Sequence, residues 1–264
     1  MTTILDKIFA DKKEELDSTV RDIPLSEVKG RISECSAPMD VEKVLSGNDG
    51  TKIIAEIKLR TPFKGELRSG MDPMEIAGVY SYGGAAALSI LTESKYFGGG
   101  IDVLHRARAA VDIPLLRKDF IFAEYQVYEA RANGADFFLL IATWLDQNHL
   151  ADLLALGKGM GFNALVETHC EKDIEKALHA GASIIGINNR DLSSGKTDLG
   201  IARRLIPMAQ QVPGSILVCE SGIHGRKEIE EFEKQGAHAF LIGESLMTAP
   251  DISLKLKELI GDNE

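Results

Sequence analysis

The sequence predicts an α/β fold of one particular kind, a (β/α)8 TIM barrel with an N-terminal helical extension. Three observations predict it. Eight short runs rich in apolar and β-branched residues recur at 52–58, 85–92, 113–119, 136–143, 164–168, 183–189, 216–221 and 239–244. They are nearly continuous rather than alternating, as expected of parallel strands covered on both faces. Helical patterns separate them, and strand starts recur roughly every 21 to 34 residues, about the size of one βα unit. Finally, Gly84-Ala85, Gly134-Ala135, Gly181-Ala182 and Gly236-Ala237 each stand between a helix end and a new strand, where glycine supplies the left-handed residue that ends a helix. Eight such units fill ~210 residues, within the range of a closed barrel. An open doubly wound sheet is the weaker reading, since it usually has fewer strands and a Gly-rich first turn.

The elements follow in order. Ile4, Leu5, Ile8, Phe9, Leu16 and Val20 recur at helical spacing among charges, the pattern of an amphipathic helix. A weaker helical pattern runs over 25–32, and Ser46-Gly47-Asn48-Asp49-Gly50 reads as a turn. Residues 1–50 are therefore expected to form a helical extension packed on a barrel of residues 51–264, a single domain overall. After the first strand, Asp72-Pro73-Met74-Glu75 opens a helix with a capping Asp, Pro at the first position and Glu at the third. Further helices are expected over 102–110, 124–133, 147–156, 172–179, 201–210, 227–234 and 252–260.

Composition narrows the partners. Thirty Lys+Arg against 40 Asp+Glu give a net charge of −10, which argues against nucleic acid. An anionic substrate has to be held by a few local cations. No apolar run approaches the ~18 residues of a spanning helix, and the first residues lack the apolar core of a signal peptide, so no membrane is expected. Cys35, Cys170 and Cys219 are scattered, without CxxC or metal-ligand spacing; they suit a reducing cytoplasm, and no metal site is expected. Two motif-like strings fail. Gly157-Lys158-Gly159-Met160-Gly161 lies between a helix and a strand, the wrong order for a dinucleotide loop, and Ser194-Gly195-Lys196-Thr197 has Arg190 where a P-loop needs glycine.

A barrel of this kind builds its active site at the C-terminal ends of its strands. Glu56 and Lys58, two apart, share the inward side of the first strand. Lys118, Glu167 and Glu220 end three others, and Asn188 a fourth. Each charge alone has a structural reading as a buried pair, but five at four strand ends of one barrel do not. Lysines among glutamates keep their protons; such a lysine can act as general acid and a nearby Glu as general base. The small residues in Ser221-Gly222 and Gly243-Glu244 let backbone N–H groups approach a ligand, and these loops often form a phosphate cradle in such barrels.

The same strings carry a resemblance over nearly the whole chain. Ala55-Glu56-Ile57-Lys58 with Thr61-Pro62, Leu91-Thr92-Glu93 through Tyr96-Phe97, Leu116-Arg117-Lys118-Asp119-Phe120, Leu165-Val166-Glu167, Gly186-Ile187-Asn188-Asn189-Arg190-Asp191-Leu192 and Glu220-Ser221-Gly222-Ile223 are similar to those of the indole-3-glycerol phosphate synthase family. That family closes the ring of 1-(2-carboxyphenylamino)-1-deoxyribulose 5-phosphate, releasing CO2 and water, in tryptophan biosynthesis. The resemblance implies Lys118 as general acid on the ketone oxygen and Glu167 as base in dehydration. It places Lys58 on the substrate carboxylate, and Glu56, Asn188 and Glu220 as positioning groups. Arg190, Ser221, Gly222, Gly243 and Glu244 (by its backbone) match phosphate and polar binding positions, with Thr61 in the first loop. Phe97, Phe120, Leu139, Leu192 and Ile242 would line the slot for the aromatic ring. The substrate would be a phosphorylated small molecule, with no cofactor, and the protein a monomer or weak homo-oligomer. Two departures stand out: Thr61-Pro62-Phe63 where Ser-Pro-Ser is common, and Gly243-Glu244 where Gly-Ser is common. The Glu244 side chain is expected to point away from the phosphate.

Overall fold

Three helices precede the first strand in the computed structural model, which describes residues 4–191, 194–210 and 213–262. α1 (Ile4–Asp22) and α2 (Leu25–Ile32) are the two read from periodicity. α3 (Val41–Ser46) is an addition to that reading: Asp40 caps it by accepting from the Lys43 amide at 3.0 Å. Six residues are too few to show a period, which is why the sequence suggested only the turn that follows.

The chain then enters β1 (Lys52–Ile57) and a two-stranded ribbon, β2 (Arg60–Thr61) and β3 (Gly65–Glu66), before α4 (Pro73–Tyr82), which Asp72 caps as expected. The remainder alternates: β4 (Ala87–Leu91), α5 (Ile101–Ala110), β5 (Leu115–Lys118), α6 (Glu124–Ala132), β6 (Phe137–Ile141), α7 (Gln147–Gly159), β7 (Asn163–Thr168) and α8 (Glu171–His179). It continues with β8 (Ile184–Asn188), α9 (Gly200–Ala209), β9 (Ile216–Glu220), α10 (Arg226–Gln235), β10 (Ala239–Ile242), a single turn α11 (Glu244–Met247) and α12 (Ile252–Ile260). Gly84, Gly134, Gly181 and Gly236, the punctuation read from the sequence, all take left-handed φ between 85° and 104°.

All pairings among β1 and β4 to β10 are parallel, and β1 closes the cylinder by pairing with both β4 and β10. Two apolar shells hold it. Outward strand residues such as Ile53, Leu88 and Phe240 pack against the helix ring. Inward ones, including Ile54, Leu116, Leu165, Val218 and Leu241, fill the lumen, and Val41 and Leu45 of α3 join this inner cluster from below.

Strand alternation fixes what stands above the lumen. Two residues on from Ile54, Leu116, Leu165 and Val218 come Glu56, Lys118, Glu167 and Glu220, so the period of two lifts all four side chains into the mouth of the barrel.

α1 lies across that mouth. Lys12 pairs with Asp119 at 2.9 Å, and both side chains are almost fully buried. Phe9 packs on Phe122 and Trp144 at centroid distances of 4.7 and 5.9 Å. Among the described residues no helix is long and apolar enough to cross a membrane.

Candidate active site

The mouth opens into a cavity of about 550 Å³. Leu192 lies outside the described residues; every other residue singled out from the sequence borders this cavity. Among the described residues no cluster of His, Cys, Asp and Glu could hold a metal ion.

The centre is a carboxylate–ammonium cluster. Lys118 Nζ lies 2.8 Å from Glu167 Oε2 and 3.4 Å from Glu220 Oε2. Burial opposes the Lys118 charge, but Glu167, Glu220 and Glu56 together outweigh it and hold the pKa above the usual lysine range. The two glutamates diverge. Burial also works against the charge of Glu167, yet Lys118, His169 and a hydrogen bond from Asn188 drive its pKa well below the carboxylate range. For Glu220 burial prevails over Lys118, and the negative neighbours Glu167 and Glu56 add to it, so its pKa is pushed up. One ammonium thus sits beside an ionised carboxylate and one that holds a proton far more readily. Pairs driven apart in this way mark acid–base sites.

Glycines make room for these side chains. A Cβ at Gly186 would overlap the Glu220 carboxylate, and one at Gly243 would overlap that of Glu56. Gly243 thus has a packing reason besides any ligand, and Gly186, quoted from the sequence only within a matched string, has the same reason. Lys58, just past the end of β1, closes on Glu56 Oε2. Asn188 accepts from the Arg190 amide at 2.9 Å through Oδ1, turning its amino group toward Glu167.

Behind Lys118 a second network locks the end of β5. Asp119 accepts from Thr92 Oγ1 at 2.6 Å, pairs with Lys12 and lies 3.2 Å from Arg117, which also pairs with Glu129 at 2.7 Å. Burial alone would raise the Asp119 pKa, but Lys12 and Arg117 bring it below the ordinary value. Glu93 accepts from the amides of Lys95, Tyr96 and Phe97 at 2.7–3.0 Å, shaping the loop that presents Phe97. Phe97, Phe120 and Trp144 then form an aromatic row with centroid spacings of 6.1 and 5.1 Å.

One expectation needs correction. Glu244 does not point away from the cavity: its carboxylate lies between Lys64 and Arg190, 3.0 Å from the guanidinium. The two cations neutralise it in place, and they lower its pKa against the effect of partial burial. Ile242 borders the cavity but belongs by strand parity to the outer core; Leu241 is the inward residue of that pair. Thr61 Oγ1 is engaged within its own loop, accepting from the Phe63 and Lys64 amides at 3.3 and 3.0 Å. Phe63 itself covers Gly195 of the loop after β8, where any Cβ would meet its ring.

Ser221 has φ of +64°, and it is the one non-glycine residue in the left-handed region among the described residues. Such a conformation costs of order 1–3 kcal/mol and clusters at ligand sites. Sequence reading missed Lys64, Ile8 and His224 as lining residues; the amphipathic face of α1 was the available signal for Ile8.

Fold and site together define a (β/α)8 enzyme of the acid–base type. A family model described as indole-3-glycerol phosphate synthase matches residues 5–259, and the chain belongs to that family, the carbon–carbon lyases of tryptophan biosynthesis that act on a phosphorylated small molecule. It is 44% identical to "Indole-3-glycerol phosphate synthase" of Roseiflexus sp. over 267 residues, covering 99% of each chain. It is 42% identical to the protein of the same name from Desulfosudis oleivorans, covering 98% of this chain and 99% of that one. Among solved structures, 3-hexulose-6-phosphate synthase superposes with a TM-score of 0.64 at 17% identity, over 80% of this chain and 99% of the other, a likeness of fold alone.

Proposed function

We propose that the mouth of this barrel closes the indole ring of 1-(2-carboxyphenylamino)-1-deoxyribulose 5-phosphate, with Lys118 as general acid and Glu167 as general base. The observation that carries this is the Lys118–Glu167 contact at 2.8 Å, inside a cavity that has an apolar row on one side and cations on the other.

The aromatic ring lies along Phe97, Phe120 and Leu139, while the phosphate reaches the Arg190 side and the loops Ser221-Gly222 and Gly243-Glu244. Lys118 gives its proton to the ketone oxygen as the ring carbon attacks. The carboxylate beside Lys58 then leaves as CO2, which restores aromaticity. In the dehydration that follows, a second proton goes to the departing hydroxyl and Glu167 takes one from the substrate. Glu56, Asn188 and Glu220 hold these groups in place. General acid–base assistance of this sort contributes typically 10²–10⁴-fold. No cofactor enters this scheme, since proton transfers and the local cations of the mouth serve every step. We place the protein in the cytoplasm, as a monomer or weak homo-oligomer, with the small-molecule substrate as its partner.

The test is indole fluorescence on adding this substrate to the purified protein. Saturable turnover is expected. Binding that raises the melting temperature without any product would replace the enzyme reading with that of a phosphate-binding barrel.

A further inference from the structure

Phe120 forms one wall of the aromatic slot, and that wall is braced from behind. Trp144, the single tryptophan of the chain, follows β6 and stacks on Phe120 with ring centroids 5.1 Å apart and planes 24° from parallel. Phe120 borders the cavity and Trp144 does not, so the indole lies behind the wall rather than in the slot. Phe9 of α1 meets the indole edge-on at 5.9 Å, and Phe122 backs Phe9 at 4.7 Å. Rings at these spacings attract one another beyond their simple burial.

The loop that carries the indole is fixed as well. Lys176 of α8 donates to the carbonyls of Ala142 and Leu145, on either side of Trp144, at 2.7 and 2.9 Å. The Thr143 hydroxyl donates to Asp173 Oδ2 at 2.7 Å, and the Trp144 amide donates to the Ile141 carbonyl at 3.1 Å. Trp144 and Phe120 both pack against the apolar cluster that fills the lumen. Withdrawing the indole would break the hold of α8, and tilting Phe120 outward would displace the indole. Within the cavity lining, Phe97 stands 6.1 Å from Phe120.

We propose that Trp144 sets the width of this slot by bracing Phe120, and with it the largest aromatic ring the substrate can carry. The inference rests on the ring-closure reading above. Protein interiors hold few voids, so a ring with an extra methyl aimed at Phe120 has to push the wall into the indole. Trp144 acts through Phe120 and never touches the substrate, which makes it a positioning residue. Shortening it leaves a void behind the wall. The wall then yields to a larger ring and holds the unsubstituted ring more loosely.

The experiment is steady-state kinetics on full-length Trp144→Ala, Trp144→Leu and Trp144→Phe beside the wild type. The substrates are 1-(2-carboxyphenylamino)-1-deoxyribulose 5-phosphate and its forms with one methyl at each free ring position in turn. For the position that faces Phe120, kcat/KM relative to the unsubstituted substrate should rise about tenfold or more in the Ala and Leu variants, as expected when a pocket gains room for one methylene. The same variants should raise KM for the unsubstituted substrate about tenfold, with kcat held within about twofold. Trp144→Phe keeps a flat ring and should recover most of the wild-type KM. If the Ala protein does not fold, the Leu protein carries the test. A relative kcat/KM that rises at no ring position would overturn the proposal. So would a kcat that falls while KM holds, since a merely structural tryptophan would not split the constants this way. A wild-type protein that closes no ring at all would instead sink the reading of the site, and this inference with it.

Discussion

Glu244 is where single residues decide most about substrate binding. Its carboxylate occupies the space between Lys64 and Arg190 that an incoming phosphate would share. Like charges at such a separation in a half-exposed site repel modestly, so Glu244→Ser should lower the KM about three- to tenfold with kcat little changed. Steady-state kinetics check this, and a raised KM would mean that Glu244 aids binding. Glu220 makes a prediction about pH. Its pKa in the folded protein is raised above the unfolded value, first by burial and then by Glu167 and Glu56. Its contribution is therefore favourable below the unfolded carboxylate pKa and is lost as pH rises toward the folded one. Glu220→Gln should accordingly raise the melting temperature at about pH 8 by more than at about pH 4. Equal shifts at both pH values would show that Glu220 is ionised in the folded protein. Glu167 has the opposite sign: its folded pKa is lowered, so its stabilisation is present above the unfolded value and fades only as the pH falls through the folded one.

Among the elements, α1 has most to reveal, because the buried pair Lys12–Asp119 ties it to the strand end that carries Lys118. Removing one partner of a buried pair costs about 3–5 kcal/mol when the other is stranded. Arg117 and Thr92 still hold Asp119, so Lys12→Met should cost about 3 kcal/mol, at the low end of that range. Chemical denaturation measures it; a loss below about 1 kcal/mol would mean that α1 is held by its aromatic contacts alone. Long elements were legible in the sequence because period and length reinforce each other: all eight barrel strands and every outer helix of eight or more residues fall on segments read as such. The short ones, α3, α11 and the ribbon of β2 and β3, carry too few residues for a pattern. The acid–base residues were legible for another reason, since charge in an apolar strand has few uses. His169 and Lys64 were not: each sits in a loop outside the apolar runs, and only the folded chain shows which carboxylate each one meets.

At the level of the whole molecule, the helical extension and the barrel share a buried ion pair and an aromatic cluster. We expect them to unfold as one unit in a single calorimetric transition, and a separate early transition would make residues 1–50 an independent domain. The negative net charge of −10 leaves Lys58, Lys64, Lys118 and Arg190 to hold an anionic substrate locally, and the closed barrel gathers them from separate stretches of the chain onto one rim. The central claim is that this rim performs acid–base ring closure through Lys118. The most direct test is Lys118→Ala, with turnover and substrate affinity measured on the same preparation. The account predicts that turnover is nearly abolished while affinity stays within about tenfold, or 1.4 kcal/mol. Turnover that persists while binding is lost would contradict it, making Lys118 a binding residue and leaving the general acid to be found elsewhere.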